Sequence, residues 1–303
     1  MSRRDGSTTV EGLNLKQVAA RLGVHYMTAY RYVRTGRLPA VRVGSGWVVT
    51  EADLDAFAAA PALPSAAEGT DWRGRVRESL LAGDEIAAWR TIEQALLSGR
   101  TPTDCYLDLV AGALADIGDA SAAASTGAGD DEPDDPAGPY VALTTARRLV
   151  AQLGARFRRP GRRRGTVVFG APAGELHDLP IAIVADLVRL EGFTCLELGA
   201  DVPAAAFAAA LRRTADVVAV GIGVTGVEHL EAVAATVAAA RAVDPDVPVV
   251  LGGQGVRNGE VAELLGATAW APDGAGAVAL IGELATRRPA ADRRAPPAAA
   301  GHA

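Results

Sequence analysis

The stretch Gly174-Glu-Leu-His-Asp-Leu-Pro180 places one histidine between two carboxylates, Glu175 and Asp178, with apolar runs on both sides. A neutral imidazole is a good ligand for a borderline transition metal, and a neighbouring carboxylate can fix its tautomer by holding the other ring nitrogen. Taken alone, the loop reads first as an ordinary polar turn, and the rest of the chain has to decide. Other chemistry-bearing residues are sparse. Cys105 and Cys195 are the two cysteines, far apart, with no CxxC pair and no zinc spacing. Cys195 falls in an apolar run and reads as core, and His229, beside Glu228, reads as solvated. A second chemical signal is charge. Between Asn14 and Thr50 stand Lys16, Arg21, Arg31, Arg34, Arg37 and Arg42 and no acid, in a chain whose net charge is −6. A local basic excess in an acidic chain points to a module for an anionic partner.

The elements that carry the basic residues form a recognisable layout. Leu15, Val18, Ala19 and Leu22 share one helical face, Gly23 permits a tight turn, and a second helix follows with Ala29, Tyr32 and Val33 placed for packing. The outer face of that second helix carries His25, Tyr26, Thr28, Tyr30, Arg31 and Arg34. PAVRVGSGWVVT then reads as a β-hairpin wing bearing Arg42, and Thr50-Glu-Ala-Asp53 as the capped start of another helix. Residues 13–60 resemble the excisionase-like and MerR-like winged helix-turn-helix domains. The resemblance implies a second helix in the major groove of a double-stranded DNA operator and a wing on the backbone. Lys16, His25, Tyr26, Thr28, Tyr30, Arg31, Arg34 and Arg42 are the expected DNA-binding residues. Arg31 and Arg34 suit phosphates or guanine edges, and Arg42 a phosphate.

The histidine loop belongs to a different pattern. After a Pro/Ala/Ser linker, residues 71–160 read as a helical bundle interrupted by the acidic, Pro-rich stretch 119–139, expected as a disordered loop. From 165 to 287 short apolar strands alternate with Ala-rich helices, which predicts a doubly wound parallel α/β sheet, and 288–303 read as a disordered tail. The whole is multidomain: winged helix-turn-helix, helical bundle and Rossmann-like or flavodoxin-like sheet. In such sheets ligands bind beyond the carboxyl ends of the strands, where GELHDLP, GIGVTG and GGQG all fall. No dinucleotide or P-loop glycine motif is present.

ELHDLP after the first strand of that sheet and LGGQG after the fourth resemble a cobalamin-binding domain, and the preceding helices resemble the bundle that caps the cofactor in that family. The resemblance implies His177 as the lower cobalt ligand and Glu175 as its hydrogen-bonded partner. It adds Asp178, Gly221, Gly252 and Gly253 as cofactor-binding residues, the two last glycines letting the nucleotide tail pass close to the backbone. Three departures stand out. Pro180 replaces the motif's last glycine, and Gly221-Ile222-Gly223 stands for a Ser-x-Leu stretch. Ser121, Pro139 and Tyr140 fall where light-sensing relatives carry a Trp and a Glu-His pair on the upper face. Trp89, in the same bundle, reads as core.

The 303 residues carry no apolar run of the ~18 residues a membrane span needs and no signal-like apolar core near the start. The expectation is a cytoplasmic, homo-oligomeric DNA-binding transcriptional regulator, not an enzyme, whose cobalamin-binding-type sensor controls assembly or operator binding. Two alternatives stay open: a regulator with no cofactor that answers another ligand or a protein, and a corrinoid carrier serving a methyltransferase. The basic N-terminal segment argues against the carrier.

Overall fold

The computed structural model describes residues 12–22, 29, 32–33, 38–43, 46–59, 70–125, 135–157 and 163–288. These fall into two compact units, one of residues 1–70 with 97–99 and the other of 71–96 with 100–303.

In the first unit, strand β1 (Leu13–Asn14) runs straight into helix α1 (Leu15–Arg21). The Asn14 side chain accepts from the amides of Lys16 and Gln17, which satisfies helix-start donors that have no partner within the helix. Strands β2 (Val41–Val43) and β3 (Gly46–Val49) pair antiparallel with Val43 opposite Gly46, the hairpin expected from alternating valines. β1 pairs with the far edge of β3, a third strand that two residues are too short to signal. Helix α2 (Glu51–Ala59) follows, with the Thr50 hydroxyl accepting from the Asp53 amide. Leu15, Val18, Ala19, Ala29, Val33, Leu38, Val49 and Leu54 form one buried core. The apolar face read from α1 and from Ala29 and Val33 is therefore the face that packs.

The second unit begins with four helical segments: α3 (Trp72–Leu81), α4 (Glu85–Ser98), a helix of three parts and α7 (Gly138–Arg156). The three parts are α5 (Pro102–Asp104), a π-helical stretch (Cys105–Ala111) and α6 (Gly112–Ser125). Two parts of the expected 119–139 loop are thereby corrected. Asp119–Ser125 is helical, because DASAAAS is mostly alanine, the strongest helix former. Gly138, Pro139 and Tyr140 open α7, with Pro139 in the first turn, where its missing N–H has no helical partner anyway. Trp89 is half-buried with the Arg156 guanidinium 5.6 Å over its ring.

The sheet comprises β4 (Thr166–Gly170), β5 (Thr194–Glu197), β6 (Val217–Gly223), β7 (Val249–Gly252) and β8 (Ala269–Ala271), all parallel, in the order β5-β4-β6-β7-β8. Alternation along β4 sends Val167 and Phe169 to one core and Val168 to the other. Helices α8 (Leu179–Leu190) and α12 (Gly274–Arg287) contribute to the first core. Helices α9 (Ala204–Arg213), α10 (Leu230–Val243) and the short α11 (Gly259–Leu264) contribute to the second. The chain leaves β4 for one edge and returns to β6 on its other side. The crevice of an open α/β sheet forms at such a switch of direction, here between the loops after β4 and β6.

Helix α8, which starts two residues after His177, is tied to the bundle. The buried Tyr106 hydroxyl of the π-helical stretch donates to Asp186 Oδ2 at 2.9 Å, and Arg189 binds Asp186 Oδ1 at 2.7 Å. Arg189 also reaches Glu197 on β5. No helix among the described residues is long and apolar enough to cross a membrane.

Candidate functional site

The histidine loop is built from the carboxyl end of β4 outward. An isolated bridge from Pro172 to Val202 carries the strand direction one step further. Asp201 Oδ1 then accepts from the Gly174 amide at 2.8 Å, and the Asp201 amide donates to the Glu175 carbonyl at 2.8 Å. Gly174 has φ +87, and a Cβ there would lie 2.9 Å from the ring of His229. His229 is thus half-buried against this loop rather than solvated, because its short 3₁₀ turn (Val227–His229) folds back toward β4.

These anchors bury Glu175 to 1% exposure while leaving the His177 side chain 64% exposed. Glu175 Oε1 accepts from the His177 amide at 3.0 Å and lies 2.5 Å from His177 Nδ1. Oε2 accepts from the Thr225 amide at 2.5 Å and the Thr225 hydroxyl at 2.7 Å. Burial pushes this carboxyl up, but the Thr225 amide and hydroxyl and the His177 ring and amide outweigh it and hold it down at about 2. Glu175 is therefore ionised and can only accept, which assigns the proton to Nδ1. In the neutral ring Nε2 then carries the lone pair, and it has no hydrogen-bond partner among the described residues. The result is an exposed imidazole of fixed tautomer and fixed orientation, with a basic nitrogen free to bind a metal.

A cavity of about 490 Å³ opens beside it, walled mainly by Phe169, Ile181, Val184, Ile222, Val250 and Ile281. His177, Gly221, Gly252 and Gly253 all line it, so four of the residues expected to meet a cofactor come together. The glycines differ in why they are glycine. At Gly253, φ is +97 and a Cβ would overlap the Val224 carbonyl, so the backbone itself requires glycine. At Gly221 a Cβ would overlap the Phe169 ring. A Cβ on Gly252 would meet nothing closer than 3.6 Å. No packing within the protein demands glycine there, and its bare backbone leaves room for a ligand in the cavity. Pro180 is exposed in the first turn of α8 and lines the cavity without closing it.

Asp178 departs from expectation. Its Oδ1 is held by Arg147 of α7 through Nε at 3.1 Å and Nη2 at 2.7 Å. It ties the bundle to the histidine loop and is not among the residues lining the cavity. Thr225 is the partner that the sequence reading missed. Its signal lay in GIGVTG, a loop already placed on the same rim, but nothing in one sequence says that its hydroxyl reaches back to Glu175. Ser121 is partly exposed and Tyr140 is 76% exposed. Among the described residues, no group of three or more His, Cys, Asp or Glu side chains could hold a metal ion.

Of the expected DNA-binding residues, Lys16 is exposed in the first turn of α1. Arg42 stands in β2 opposite Trp47, its side chain outside the described part. His25, Tyr26, Thr28, Tyr30, Arg31 and Arg34 lie outside the described residues.

Residues 13–61 match the family described as a helix-turn-helix domain, and residues 165–281 match the B12 binding domain. No curated protein matches the chain at a significant level. Among solved structures, the monomethylamine corrinoid protein of Methanosarcina barkeri is similar at 17% identity and a TM-score of 0.55, over 69% of this chain and 96% of its own. The methanol:cobalamin methyltransferase complex of the same organism matches at 16% identity and a TM-score of 0.39, over 72% and 81%. A cobalamin-binding protein from Desulfitobacterium hafniense matches at 19% and 0.39, over 71% and 98%. The first of these shares the fold. The chain carries a helix-turn-helix domain at one end and a B12 binding domain at the other.

Proposed function

We propose, from a DNA-binding type of domain and a corrinoid-binding type of domain on one chain, that this protein is a transcriptional regulator whose operator binding answers to cobalamin. One observation carries the reading: an exposed His177 whose Nδ1 is held by the buried Glu175 carboxylate, at the mouth of an apolar cavity. The residues fit the group. His177 Nε2 would be the lower ligand, with Glu175 and Thr225 setting its tautomer and direction. The glycine loop 252–253 and the cavity would take the nucleotide tail. Bound there, the cofactor would supply a cobalt centre able to exchange a ligand. The protein's own part is to hold the imidazole, exclude water from the tail and transmit occupancy through α8.

Cobalamin can shift operator affinity only by binding two states of the protein unequally. A single small helix-turn-helix reads a half-site, so the DNA-competent form is a homo-oligomer on a double-stranded operator. Duplexes enriched from a random pool by the full-length protein would supply a probe for affinity measured with and without hydroxocobalamin. The reading expects sequence-selective binding and a change of at least fivefold on adding the corrinoid. Selective binding that is indifferent to every corrinoid would favour a regulator without cofactor. Corrinoid binding without selective DNA binding would favour a carrier.

A further inference from the structure

The cavity beside His177 has apolar walls, yet one cation stands at it. Among the described residues that line it, Arg257 is the only arginine or lysine. The one carboxylate among the described lining residues is Asp273, and it caps α12 by accepting from the Gly276 amide at 2.7 Å. No described residue hydrogen-bonds or pairs with the Arg257 guanidinium. The backbone on either side is fixed. Val256 is 1% exposed, and its carbonyl accepts from Trp270 Nε1 at 2.8 Å. Asn258 is the N-cap of the helix Gly259–Leu264, its side chain accepting from the Val261 amide at 2.9 Å. A long cationic side chain is thus carried on an immobilised backbone at the rim of an apolar hole, with its five donors unspent on any described residue.

A ligand matched to that arrangement has an apolar, planar part for the hole and an anion one arginine's reach from it. We infer that Arg257 binds the phosphodiester of the cofactor's nucleotide tail, and so makes the protein selective for complete, tail-bearing corrinoids over tail-less ones. The inference rests on the cobalamin reading above. Guanidinium matches the geometry of phosphate oxygens, and such charge-assisted hydrogen bonds are about twice as strong as neutral ones. Gly252 and Gly253 put no side chains of their own on this part of the lining, which leaves an anion room to approach beside Gln254. A free nucleotide presents the same chemistry, a phosphate beside a planar base, and the test separates the two sources.

The experiment titrates full-length wild type, Arg257→Ala and Arg257→Lys with hydroxocobalamin, with aquacobinamide, which lacks the tail, and with adenosine monophosphate as competitor. Binding is read by corrinoid absorbance at two salt concentrations. Arg257→Ala should weaken hydroxocobalamin by about tenfold, flatten its salt dependence and leave aquacobinamide unchanged. Arg257→Lys should fall between, keeping the charge and losing the fork. Adenosine monophosphate should compete weakly or not at all. Equal losses for both corrinoids, or none for either, would overturn the role of Arg257 while leaving the cobalamin reading intact. Tight competition by the nucleotide, abolished in Arg257→Ala, would reassign the arginine to a free nucleotide. Wild type that takes up neither corrinoid overturns both.

Discussion

At the scale of single residues, the site depends on one carboxylate doing three things: orienting His177, capping the amide of Thr225 and fixing a tautomer. Glu175→Gln keeps the shape but offers an amide where an ionised acceptor stood, so the Nδ1 proton is no longer dictated. The expected outcome is a 10–100-fold loss of cobalamin affinity with the fold retained, read by titration beside circular dichroism. Thr225→Val removes only the hydroxyl and should cost less. Another residue-scale prediction concerns the cysteines. Burial pushes the thiols of Cys105 and Cys195 up to about 12 in each case. At pH 8 both should therefore remain thiols and react with a thiol reagent only after unfolding in urea; fast labelling of the native protein would contradict this. The histidine and its carboxylate were legible in GELHDLP, because a short motif holds both partners. Thr225 and Asp201 were not, because they lie about 50 and 25 residues from Glu175 and meet the loop only through sheet order. Asp178 shows what a short motif leaves out: the carboxylate beside the histidine is paired with an arginine of the bundle, a partner 31 residues away.

Between elements, the substitution of glycine for a Ser-x-Leu stretch acquires a physical reason. Gly221 is small because Phe169 on the adjacent strand β4 occupies the space, and Gly223 because Ile181 of α8 does, 2.9 Å from where a Cβ would stand. Gly221→Ser should destabilise the protein by about 1–3 kcal/mol through overpacking. Phe169→Ala, costly by itself, should cost less in the Gly221→Ser background than in the wild type, a coupling that separate stability measurements of the single and double variants would reveal. The link from bundle to sheet can be tested in the same way. Tyr106→Phe removes one buried hydrogen bond while leaving Asp186 paired with Arg189, so a loss of about 1 kcal/mol in urea unfolding is expected. The strand and helix alternation from 166 onward was readable, since each run has the length and pattern of its element. The acidic stretch misled at both ends, where alanines and a first-turn proline extend helices into a segment whose composition suggests disorder.

For the whole molecule, the account joins a DNA reader to a corrinoid site, and each half makes its own demand. In the first, Arg31→Ala and Arg34→Ala should weaken binding to the enriched duplex, and a residue that touches phosphate should also lower the salt slope by about one. Unchanged affinity and slope in both variants would remove these arginines from the interface. The second half rests on whether His177 ligates cobalt, and electron paramagnetic resonance of bound cob(II)alamin answers that most directly. In protein grown with ¹⁵N-histidine, an axial imidazole converts the nitrogen superhyperfine triplet to a doublet, because the ligand nucleus changes spin. The account predicts the doublet in the labelled wild type and its loss in labelled His177→Ala. A triplet that persists in the labelled wild type, or a doublet that survives in His177→Ala, would contradict it.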